Sequence, residues 1–317
     1  MNQLKIGFFG VKSWEREIIE REIINLDATG VGIFGEELQD NIDSANNYDI
    51  VSVFVYSKLN KKVLDQLPNL KMIATRSTGI DHIDVGECKK RKIEIFNVPS
   101  YGENTVAEYA IALLLAVAKR IVPAHQSVEE GEFSPEGLTG IDIFGKTLGV
   151  VGVGKIGQNV IRIAKGLGMK IISVDKGGDL ENCLKKSDFV TFHVPATPDT
   201  RHLLNMNNIK LMKPGSVLIN TSRGKVVKTE AIVYGLANGI LWGAGLDVTE
   251  DEELVESVAM VSSTRPTKDD LQEVLSYHLL RDRDDVVFTP HNAFNTKEAI
   301  GRIIKTTIEN INTFCKK

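Results

Sequence analysis

The chain has 317 residues, which is long enough for two domains of ordinary size. Hydrophobic residues make up 42% and charged residues 25% of it, as is typical of globular proteins, and a net charge of −4 argues against nucleic acid or an anionic membrane as a partner. The three cysteines have no C-x-x-C spacing, so they predict neither a disulfide scaffold nor a zinc site and favour a reduced, cytoplasmic location. The N-terminus lacks the pattern of a signal peptide, and the most apolar run, 110–118, is too short to span a bilayer.

The first hundred residues predict alternating strands and helices. Short apolar runs predict five strands: KIGFFG at 5–10, GVGIFG at 30–35, IVSVFVY at 50–56, KMIATRS at 71–77 and IEIFNVP at 93–99. Between the strands lie helical stretches, such as 14–26, where isoleucines recur at helical spacing, and 60–67. Strands that alternate with helices form a parallel sheet, so residues 1–100 predict one open α/β domain.

A long apolar helix and a second α/β series follow. Residues 103–122 predict one helix that is apolar on most sides and therefore buried between domains or subunits, and 126–146 predict a polar loop. From Thr147 onward six strands are predicted: TLGVVG, KIISVD, FVTFHV, SVLINTS, WGAGLDV and DVVFTP. A final helix, from about 296 to 314, must bury its apolar stripe on this second domain or, by crossing back, on the first. Crossing back would leave a cleft spanned by two connections, near residues 100 and 293.

A glycine-rich turn, G-x-G-x-x-G, lies between the first strand and the first helix of this second series. Its glycines are Gly152, Gly154 and Gly157, and the next strand ends at Asp175, 18 residues after Gly157. This spacing matches the dinucleotide-binding fingerprint, in which the glycines let a pyrophosphate approach the N-terminus of the helix. Asp175 would accept hydrogen bonds from the ribose hydroxyls and repel a 2′-phosphate. The sequence therefore predicts NAD rather than NADP as the cofactor.

Polar side chains follow the later strands, where open α/β sheets bind their ligands. Arg223 follows the strand that ends in NTS, Glu252 lies in an acidic run after LDV, and His291 follows Thr-Pro after the last strand. Taken singly, each residue suits the protein surface, as a solvated cation, an acidic loop and a capping histidine. Together they supply one cation, one carboxylate and one imidazole beside the nicotinamide end of a cofactor. That is the set of groups needed to reduce a 2-keto acid.

Seven stretches carry a resemblance to a known family. They are RSTGIDHID, NVPSYGENTVAEY, LGVVGVGKIGQ, SDFVTFHVPATPDTRHLLN, LMKPGSVLINTSRG, GAGLDVTEDEE and TPHNAF. With them the sequence resembles the NAD-dependent D-2-hydroxyacid dehydrogenases over essentially its whole length. The resemblance implies two Rossmann-like or flavodoxin-like open parallel-sheet domains with a cleft between them. Residues 1–100 and 295–317 would form the substrate domain, and residues 101–294 would form the NAD-binding domain inserted in it.

The family's catalytic arginine, glutamate and histidine fall on Arg223, Glu252 and His291. Arg223 would offer its planar donor fork to the substrate carboxylate and carbonyl oxygen, while NADH delivers hydride to the carbonyl carbon. Protonated His291 would give its proton to the developing alkoxide, and Glu252 would accept the other ring N–H of His291 and orient the ring. The chemistry is acid–base catalysis without a metal, and no metal-ligand cluster is visible in the sequence.

The resemblance also implies the binding residues. Backbone N–H groups near Thr78 and Gly79 would hold the substrate carboxylate, and Tyr56, Tyr101 and Phe294 would narrow the side-chain pocket to the size of pyruvate. The expected cofactor contacts are Lys155 and Ile156 at the pyrophosphate, Val194 and Pro195 at the adenosine side, Thr200, and Thr221, Ser222 and Asp247 at the nicotinamide end. The long apolar helix adds the expectation of a homodimer formed through the NAD-binding domain.

Within the family, three features favour the D-lactate dehydrogenases. They are the VPSY turn with Tyr101, the absence of a proline after Glu252, and an aromatic residue, Phe294, three residues after His291. Two alternatives stay open. One is a glyoxylate/hydroxypyruvate or phosphoglycerate dehydrogenase of the same family, and the other is an NAD-sensing transcriptional corepressor without turnover.

The sequence departs from the family pattern at three places. The usual AEH is AEY here, with Tyr109, and the segment 253–284 is longer and more charged than in many members. The connection after Asp175 is short, because only residues 176–178 precede the next helical stretch. Relatives have a longer connection there, which helps to wall the adenine pocket. We therefore expect an open adenine groove and weaker NADH binding, unless the loop 196–200 closes over the ring.

Overall fold

The computed structural model describes residues 4–26, 30–250 and 267–316. The chain divides into two compact units. Unit 1 comprises Met1–Gly102 and Asn295–Lys317, and unit 2 comprises Glu103–Phe294. Each unit contains one sheet whose paired strands are all parallel. The predicted class, two open parallel-sheet α/β domains, is confirmed.

Unit 1 contains a five-stranded sheet in the order β2-β1-β3-β4-β5. Its strands are β1 (Lys5–Phe8), β2 (Gly30–Ile33), β3 (Ile50–Val53), β4 (Met72–Thr75) and β5 (Glu94–Phe96). Its first four helices are α1 (Ser13–Glu22), which a 3₁₀ turn (Ile23–Asn25) continues, α2 (Ile42–Ala45), α3 (Lys61–Leu64) and α4 (Val85–Arg91). Two of the inner strands, β3 and β4, are buried along their whole length because helices cover both faces of the sheet.

Unit 2 contains a six-stranded sheet in the order β11-β10-β9-β8-β6-β7. Its strands are β6 (Thr147–Val151), β7 (Lys170–Val174), β8 (Phe189–Phe192), β9 (Ser216–Asn220), β10 (Leu241–Leu246) and β11 (Val286–Phe288). Its described helices are α5 (Glu103–Ala118), α6 (Ile121–Glu129), α7 (Lys155–Gly166), α8 (Leu180–Lys186), α9 (Thr229–Ala237) and α10 (Lys268–Arg281). Two apolar clusters, one around α5 and α7 and one around α8 and α9, form its core. None of the helices in the described ranges is long and apolar enough to cross a bilayer.

The final helix, α11 (Lys297–Cys315), packs in the core of unit 1. Its buried stripe of Ile300, Ile304, Ile308 and Ile311 recurs at intervals of three and four residues, as expected for one helix face. The stripe joins the apolar cluster that contains residues of β1, β3 and β4. A hydrogen bond from the Asn310 Nδ2 to the Asn97 carbonyl oxygen (2.9 Å) adds a polar contact at its C-terminal half.

The prediction of one helix over 103–122 is wrong. Helix α5 ends at Ala118, and α6 begins at Ile121 after Arg120, whose φ of 54° is left-handed. The returning chain stops the helix, because the Ile141 N–H donates to the Ala118 carbonyl oxygen (2.8 Å). That carbonyl is thereby satisfied outside the helix. The predicted polar loop also starts later than residue 126, because α6 extends to Glu129.

Candidate active site

The carboxyl edge of the unit 2 sheet brings the predicted cofactor residues into one row with two of the three predicted catalytic residues, Arg223 and His291. Strands that run parallel end at the same edge, which is where such sheets bind ligands. Read across the sheet from β7 to β11, the residues that follow the strands are Asp175, the glycine loop, Val194 and Pro195, Thr221 to Arg223, Asp247, and His291. The row therefore extends from the predicted ribose contact to the predicted proton donor.

The glycine loop has the geometry of an anion-binding turn. Gly152 has a φ of +95°, and a Cβ at Gly157 would lie 2.0 Å from the Gly152 carbonyl oxygen, so both positions require glycine. A Cβ at Gly154 would meet nothing within 4 Å, so the backbone there faces open space. Helix α7 begins at Lys155 without a side-chain cap, and in the described chain the N–H groups of residues 155–157 donate to no protein acceptor. Such a helix N-terminus attracts a phosphate group.

Asp175 directly follows β7, as the fingerprint requires. Its side chain is exposed, and its Oδ1 accepts the N–H of Lys176 (3.0 Å). Helix α8 begins only five residues later, capped by Asp179, which accepts the Asn182 N–H (2.9 Å). The Lys176 ammonium pairs with Asp199 of the loop after β8 (3.3 Å), so these two loops touch at their exposed tips.

The loop after β8 carries Val194, Pro195 and Thr200. Val194 is half-buried and Pro195 is exposed. The Thr200 hydroxyl donates to the Pro195 carbonyl oxygen (2.5 Å) and accepts the Thr197 N–H (2.8 Å), so Thr200 closes the loop on itself. Thr200 is thus placed to shape the loop.

His193, the first residue after β8, was not predicted as a site residue. Its Nε2 is hydrogen-bonded to the Thr191 hydroxyl (2.9 Å), while its buried Nδ1 has no partner among the described residues. Burial lowers the pKa of His193 to about 4, so the ring is neutral near pH 7. A histidine in an apolar strand run gives no sequence signal of this kind, since the unpartnered nitrogen follows from tertiary packing.

The turn after β9 presents Arg223 through a local hydrogen-bond network. The Asn220 Oδ1 accepts both the N–H (3.1 Å) and the hydroxyl (2.7 Å) of Ser222, and its Nδ2 donates to the Arg223 carbonyl oxygen (3.2 Å). The Arg223 Nη1 donates to the Ser222 carbonyl oxygen (2.8 Å). A Cβ at Gly224 would lie 1.8 Å from the Thr249 carbonyl oxygen, so the backbones meet there. Asn220 thus holds the turn that carries Arg223, a contact that was not predicted from the sequence, although a polar residue at the end of an apolar strand is a recognisable signal.

Asp247 organises the segment that carries His291. Its buried Oδ1 accepts the Thr289 hydroxyl (2.6 Å) and the Asn292 N–H (2.8 Å), and its Oδ2 accepts the Ala293 N–H (2.9 Å). Burial raises the pKa of the Asp247 carboxyl group, and these three hydrogen bonds and the charge of His291 act in the opposite direction. Sequence reasoning assigned Asp247 to the nicotinamide end and missed this contribution to the histidine loop.

Glu252 lies outside the described residues. Its neighbour Glu250 is described and buried, and its Oε1 is hydrogen-bonded to the Nε2 of His202 (2.5 Å). The Glu250 Oε2 accepts the N–H (2.8 Å) and the hydroxyl (3.2 Å) of Thr229. Glu250 therefore ties the chain after β10 to the start of α9, a contact between residues far apart in the sequence.

Unit 1 presents the predicted carboxylate-binding turn after β4. The Thr78 hydroxyl donates to the Val98 carbonyl oxygen (2.8 Å), Asn97 Nδ2 donates to the Thr78 carbonyl oxygen (2.8 Å), and the Ser77 hydroxyl donates to the Gly79 carbonyl oxygen (2.7 Å). Within the described ranges, the N–H groups of Thr78 and Gly79 donate to no protein acceptor. Two successive unpaired N–H groups on a fixed turn suit a carboxylate.

Arg76, which precedes this turn, is fully buried and was not predicted as a site residue. Its Nη2 donates to the carbonyl oxygens of Phe9 (3.0 Å) and Gly10 (3.2 Å), its Nη1 donates to the Ser52 hydroxyl (3.2 Å), and its Nε donates to the Glu15 Oε1 (3.2 Å). The guanidinium thus joins the carboxyl ends of β1 and β3 to the turn after β4. A buried charge is tolerated here because it is paired with Glu15 and makes four hydrogen bonds.

The three aromatic residues that were predicted to narrow the substrate pocket are half-buried. Two of them belong to unit 1 and one belongs to unit 2. Tyr56 lies in the turn after β3, and Tyr101 lies just before the end of the first segment of unit 1. The Tyr101 carbonyl oxygen accepts the Arg302 Nε–H (2.5 Å), which ties it to α11. Phe294 is the last residue of unit 2.

The residues present fit NAD. The uncapped α7 N-terminus suits a pyrophosphate, and the Thr221 hydroxyl and the His193 Nδ1 are buried polar atoms without a partner in the described chain. Buried polar atoms in native proteins are normally hydrogen-bonded. Unpartnered polar atoms at the carboxyl ends of two strands therefore suit a bound ligand. No group of three or more metal-ligating side chains occurs among the described residues.

Comparison with known proteins agrees with this geometry. Residues 111–293 match the model of the family described as D-isomer specific 2-hydroxyacid dehydrogenase, NAD binding domain. The match covers more than half of the chain, and full-length relatives support it. The chain belongs to the D-2-hydroxyacid dehydrogenase family of NAD-dependent oxidoreductases.

Two relatives and one solved structure illustrate the similarity. A 2-hydroxyacid dehydrogenase homolog of Haemophilus influenzae is 34% identical, over 97% of this chain and 95% of that protein. A glyoxylate reductase of Thermococcus litoralis is 42% identical, over 67% of this chain and 70% of that protein. The crystal structure of D-lactate dehydrogenase from Aquifex aeolicus, complexed with NAD and lactic acid, has a TM-score of 0.85 at 32% identity and covers 98% of this chain and 96% of that one.

Proposed function

We propose that the chain is a D-lactate dehydrogenase that reduces pyruvate to D-lactate with NADH. The observation that carries the proposal is the row of Asp175, the glycine loop, Arg223 and His291 along one sheet edge. That order matches a cofactor extended from its ribose to its nicotinamide, with a cation and an imidazole at the reacting end. The structural likeness to a D-lactate dehydrogenase over nearly the whole chain supports the choice of substrate.

Bound NADH supplies a hydride to the keto carbon. Arg223 donates two parallel hydrogen bonds, to the substrate carboxylate and the keto oxygen, and so polarises the carbonyl group. His291 then donates a proton to that oxygen as negative charge develops on it. The Thr78 and Gly79 N–H groups hold the carboxylate. Glu252 is proposed to orient His291, and Asp247 supports the loop on which His291 lies.

Substrate size distinguishes pyruvate reduction, the proposed reaction, from the reduction of glyoxylate or hydroxypyruvate. Tyr56, Tyr101 and Phe294 are large rings, and we propose that they restrict the substrate side chain to about the size of a methyl group. Glyoxylate is smaller than pyruvate, and hydroxypyruvate is larger and carries a hydroxyl group. The 42% identity to a glyoxylate reductase favours glyoxylate reduction as the second candidate function.

An assay with purified full chain decides between these candidates. Initial rates of NADH oxidation are measured with pyruvate, glyoxylate and hydroxypyruvate, and the chirality of the product is determined. We expect kcat/KM to be highest with pyruvate, and we expect the product to be D-lactate. A higher kcat/KM with glyoxylate would favour the second candidate, and NADH binding without turnover would favour a corepressor.

We further infer a cytoplasmic homodimer formed through unit 2. The exposed apolar side chains of Ile121, Val128 and Phe133, on and after α6, support an interface there, since large exposed apolar groups mark association sites. Cys88 and Cys183 are buried free thiols, as expected in a reducing compartment. Light scattering of the wild type and of Ile121→Glu tests the dimer, and a wild-type monomer would contradict it.

A further inference from the structure

The turn that carries Tyr56 is held by a preceding segment of unit 1. The Gln39 side chain accepts the Lys58 N–H at Oε1 (3.1 Å) and donates from Nε2 to the Tyr56 carbonyl oxygen (3.2 Å). The Ser57 N–H closes the turn on the Phe54 carbonyl oxygen (3.1 Å). The Gln39 amide thus makes the two hydrogen bonds that the backbone of a neighbouring strand would make. It fixes the backbone on both sides of Ser57.

Glu37 links this turn to the end of β1. Its Oε2 accepts the Ser57 hydroxyl (2.7 Å), and its Oε1 accepts the Lys12 ammonium (3.2 Å). A Cβ at Gly10, whose φ is +63°, would lie 2.3 Å from the Glu37 Oε2. The carboxylate therefore lies directly against the backbone at Gly10, and its side chain is only 15% exposed. Partial burial makes the pair with Lys12 stronger than an ordinary surface ion pair.

Lys12 connects Glu37 to the ring of Tyr56. The Lys12 ammonium lies 5.6 Å from the centroid of that ring, within the range of a cation–π contact. The ring also makes an edge contact with Phe54, with centroids 5.7 Å apart. We call Lys12, Glu37, Gln39, Tyr56 and Ser57 the Lys12 cluster. Its members fix both the backbone and the ring of Tyr56.

The same lysine is also tied to the predicted carboxylate-binding turn. The Lys12 N–H donates to the Glu15 Oε2 (3.1 Å), and the Glu15 Oε1 accepts the Nε–H of Arg76, which precedes Ser77 and Thr78. One carboxylate thus holds Lys12 in register with the groups that are proposed to bind the substrate carboxylate. These contacts connect the carboxylate turn to the residue whose ammonium lies over the Tyr56 ring.

We propose that Lys12 is a positioning residue that selects for small substrate side chains by holding the Tyr56 ring in place, with Glu37 orienting the lysine. This inference rests on the proposed function, because it treats Tyr56 as a wall of the substrate pocket. Without the cation, the ring gains rotamer freedom and the pocket accepts longer 2-keto acids. Lys12 acts through Tyr56 and does not touch the substrate.

The test compares kcat/KM for pyruvate with kcat/KM for 4-methyl-2-oxopentanoate, which has a larger, branched side chain. Lys12→Met keeps the length of the side chain and removes the charge, and it should raise the ratio in favour of the larger acid by about 3- to 10-fold. Glu37→Gln should shift the ratio in the same direction by less. Lys12→Arg keeps a cation and should retain the wild-type ratio. Lys62→Met, at an exposed lysine of α3, is the matched control and should also leave the ratio unchanged.

A double-mutant cycle separates positioning from a general structural effect. In a Tyr56→Ala background, Lys12→Met should no longer change the ratio, because the ring on which it acts is gone. The same shift in both backgrounds, or no shift in the wild-type background, would overturn the inference. A loss of kcat/KM for both acids in Lys12→Met would also overturn it, because it would mean that Lys12 binds the substrate itself.

A measurement that does not depend on turnover keeps this inference distinct from the proposed function. If the wild type reduces none of the acids, the proposed function fails, and the position of the ring can still be measured. In protein with ¹³C-labelled tyrosine, the ring resonance of Tyr56 is assigned by its loss in Tyr56→Phe. It should shift in Lys12→Met and stay unchanged in Lys62→Met, and an unshifted resonance in Lys12→Met would refute the positioning role.

Discussion

The His291 N–H donates to the Asp247 carbonyl oxygen over 2.9 Å, so the predicted proton donor is fixed to the strand beside it. His291 has a φ of 48°, a left-handed conformation that is uncommon for a residue other than glycine and costs on the order of 1 kcal/mol. Such a conformation persists only where its surroundings hold it. The Asp247 carboxylate does so, because it accepts the N–H groups of the two following residues.

Asp247→Asn should therefore destabilise the fold and displace His291. The amide nitrogen of asparagine cannot accept a hydrogen bond, so the N–H of Asn292 or Ala293 loses its buried acceptor. We expect the free energy of unfolding to fall by about 1–3 kcal/mol and kcat to fall at least about tenfold. Urea denaturation and steady-state kinetics measure the two effects. Asp199→Asn, at an exposed carboxylate, is the control, and a variant at Asp247 with wild-type stability and kcat would exclude this role.

Arg223→Lys should reduce turnover strongly and leave NADH binding nearly intact. Lysine keeps the charge but loses the planar fork that is proposed to bind the carboxylate and keto oxygen together. We expect kcat/KM for pyruvate to fall on the order of 100-fold, with the Kd for NADH within about twofold of wild type. Fluorescence titration gives the Kd, and Arg162→Lys on the exposed face of α7 is the control. Pyruvate reduction by Arg223→Lys within a few-fold of wild type would show that the fork is not needed.

His193 should make folding stability fall at mildly acidic pH. The unfolded chain binds this proton near the ordinary pKa of about 6.5, whereas burial lowers the pKa in the folded protein to about 4. Between these values the unfolded state binds more protons, so stability is full above about pH 6.5 and is lost as the pH falls towards 4.

The test of this linkage compares unfolding curves of the wild type and His193→Gln at pH 7.5 and pH 5. Glutamine does not titrate and can still bond to the Thr191 hydroxyl. The wild type should lose about 1–2 kcal/mol more than the variant over this interval. Parallel pH dependences of the two proteins would mean that the folded histidine takes up its proton at an ordinary pH.

Asp175 predicts a preference for NADH over NADPH, and the short connection after it predicts only moderate affinity for NADH. The carboxylate should select NADH over NADPH, since that contact needs only the end of β7, and the open groove should leave part of the adenine ring exposed. Each Å² of apolar adenine surface left exposed makes NADH binding less favourable by about 25 cal/mol. Titration of both cofactors into the wild type and Asp175→Ala measures the preference. Equal Kd values for NADH and NADPH in the wild type would refute the role of Asp175, and NADH binding as tight as in relatives with a longer connection would refute the open groove.

The ion pair of Lys176 with Asp199 offers a way to examine whether the neighbouring loop closes the groove. Both side chains are mostly exposed, so the pair itself should contribute little. Lys176→Met should leave the Kd for NADH within about twofold of the wild type. A large increase in Kd would mean that the pair closes the loop 196–200 over the adenine ring.

Local sequence patterns were sufficient to predict both parallel sheets and the glycine loop. The buried strands appear as short apolar runs, and the glycine spacing is set by the geometry of a single strand–turn–helix unit. The final helix could be predicted from its isoleucine stripe, and Asp175 from its distance to Gly157. These features depend on residues that are close together in the chain, so the chain order contains them directly.

The contacts that hold the site residues and end the helices were decided only by the tertiary structure. Arg76 and Glu15 are 61 positions apart, and Glu250 and His202 are 48 apart. The break at Arg120 also depends on a distant residue, because Ile141 returns to bond the end of α5. Hydropathy and spacing do not encode such contacts, since they arise from strand order and packing. The sequence alone therefore determined the types of chemical group at the candidate site, whereas the fold decided which residues hold those groups in place, because contacts between distant segments form only when the sheets bring the strand ends together.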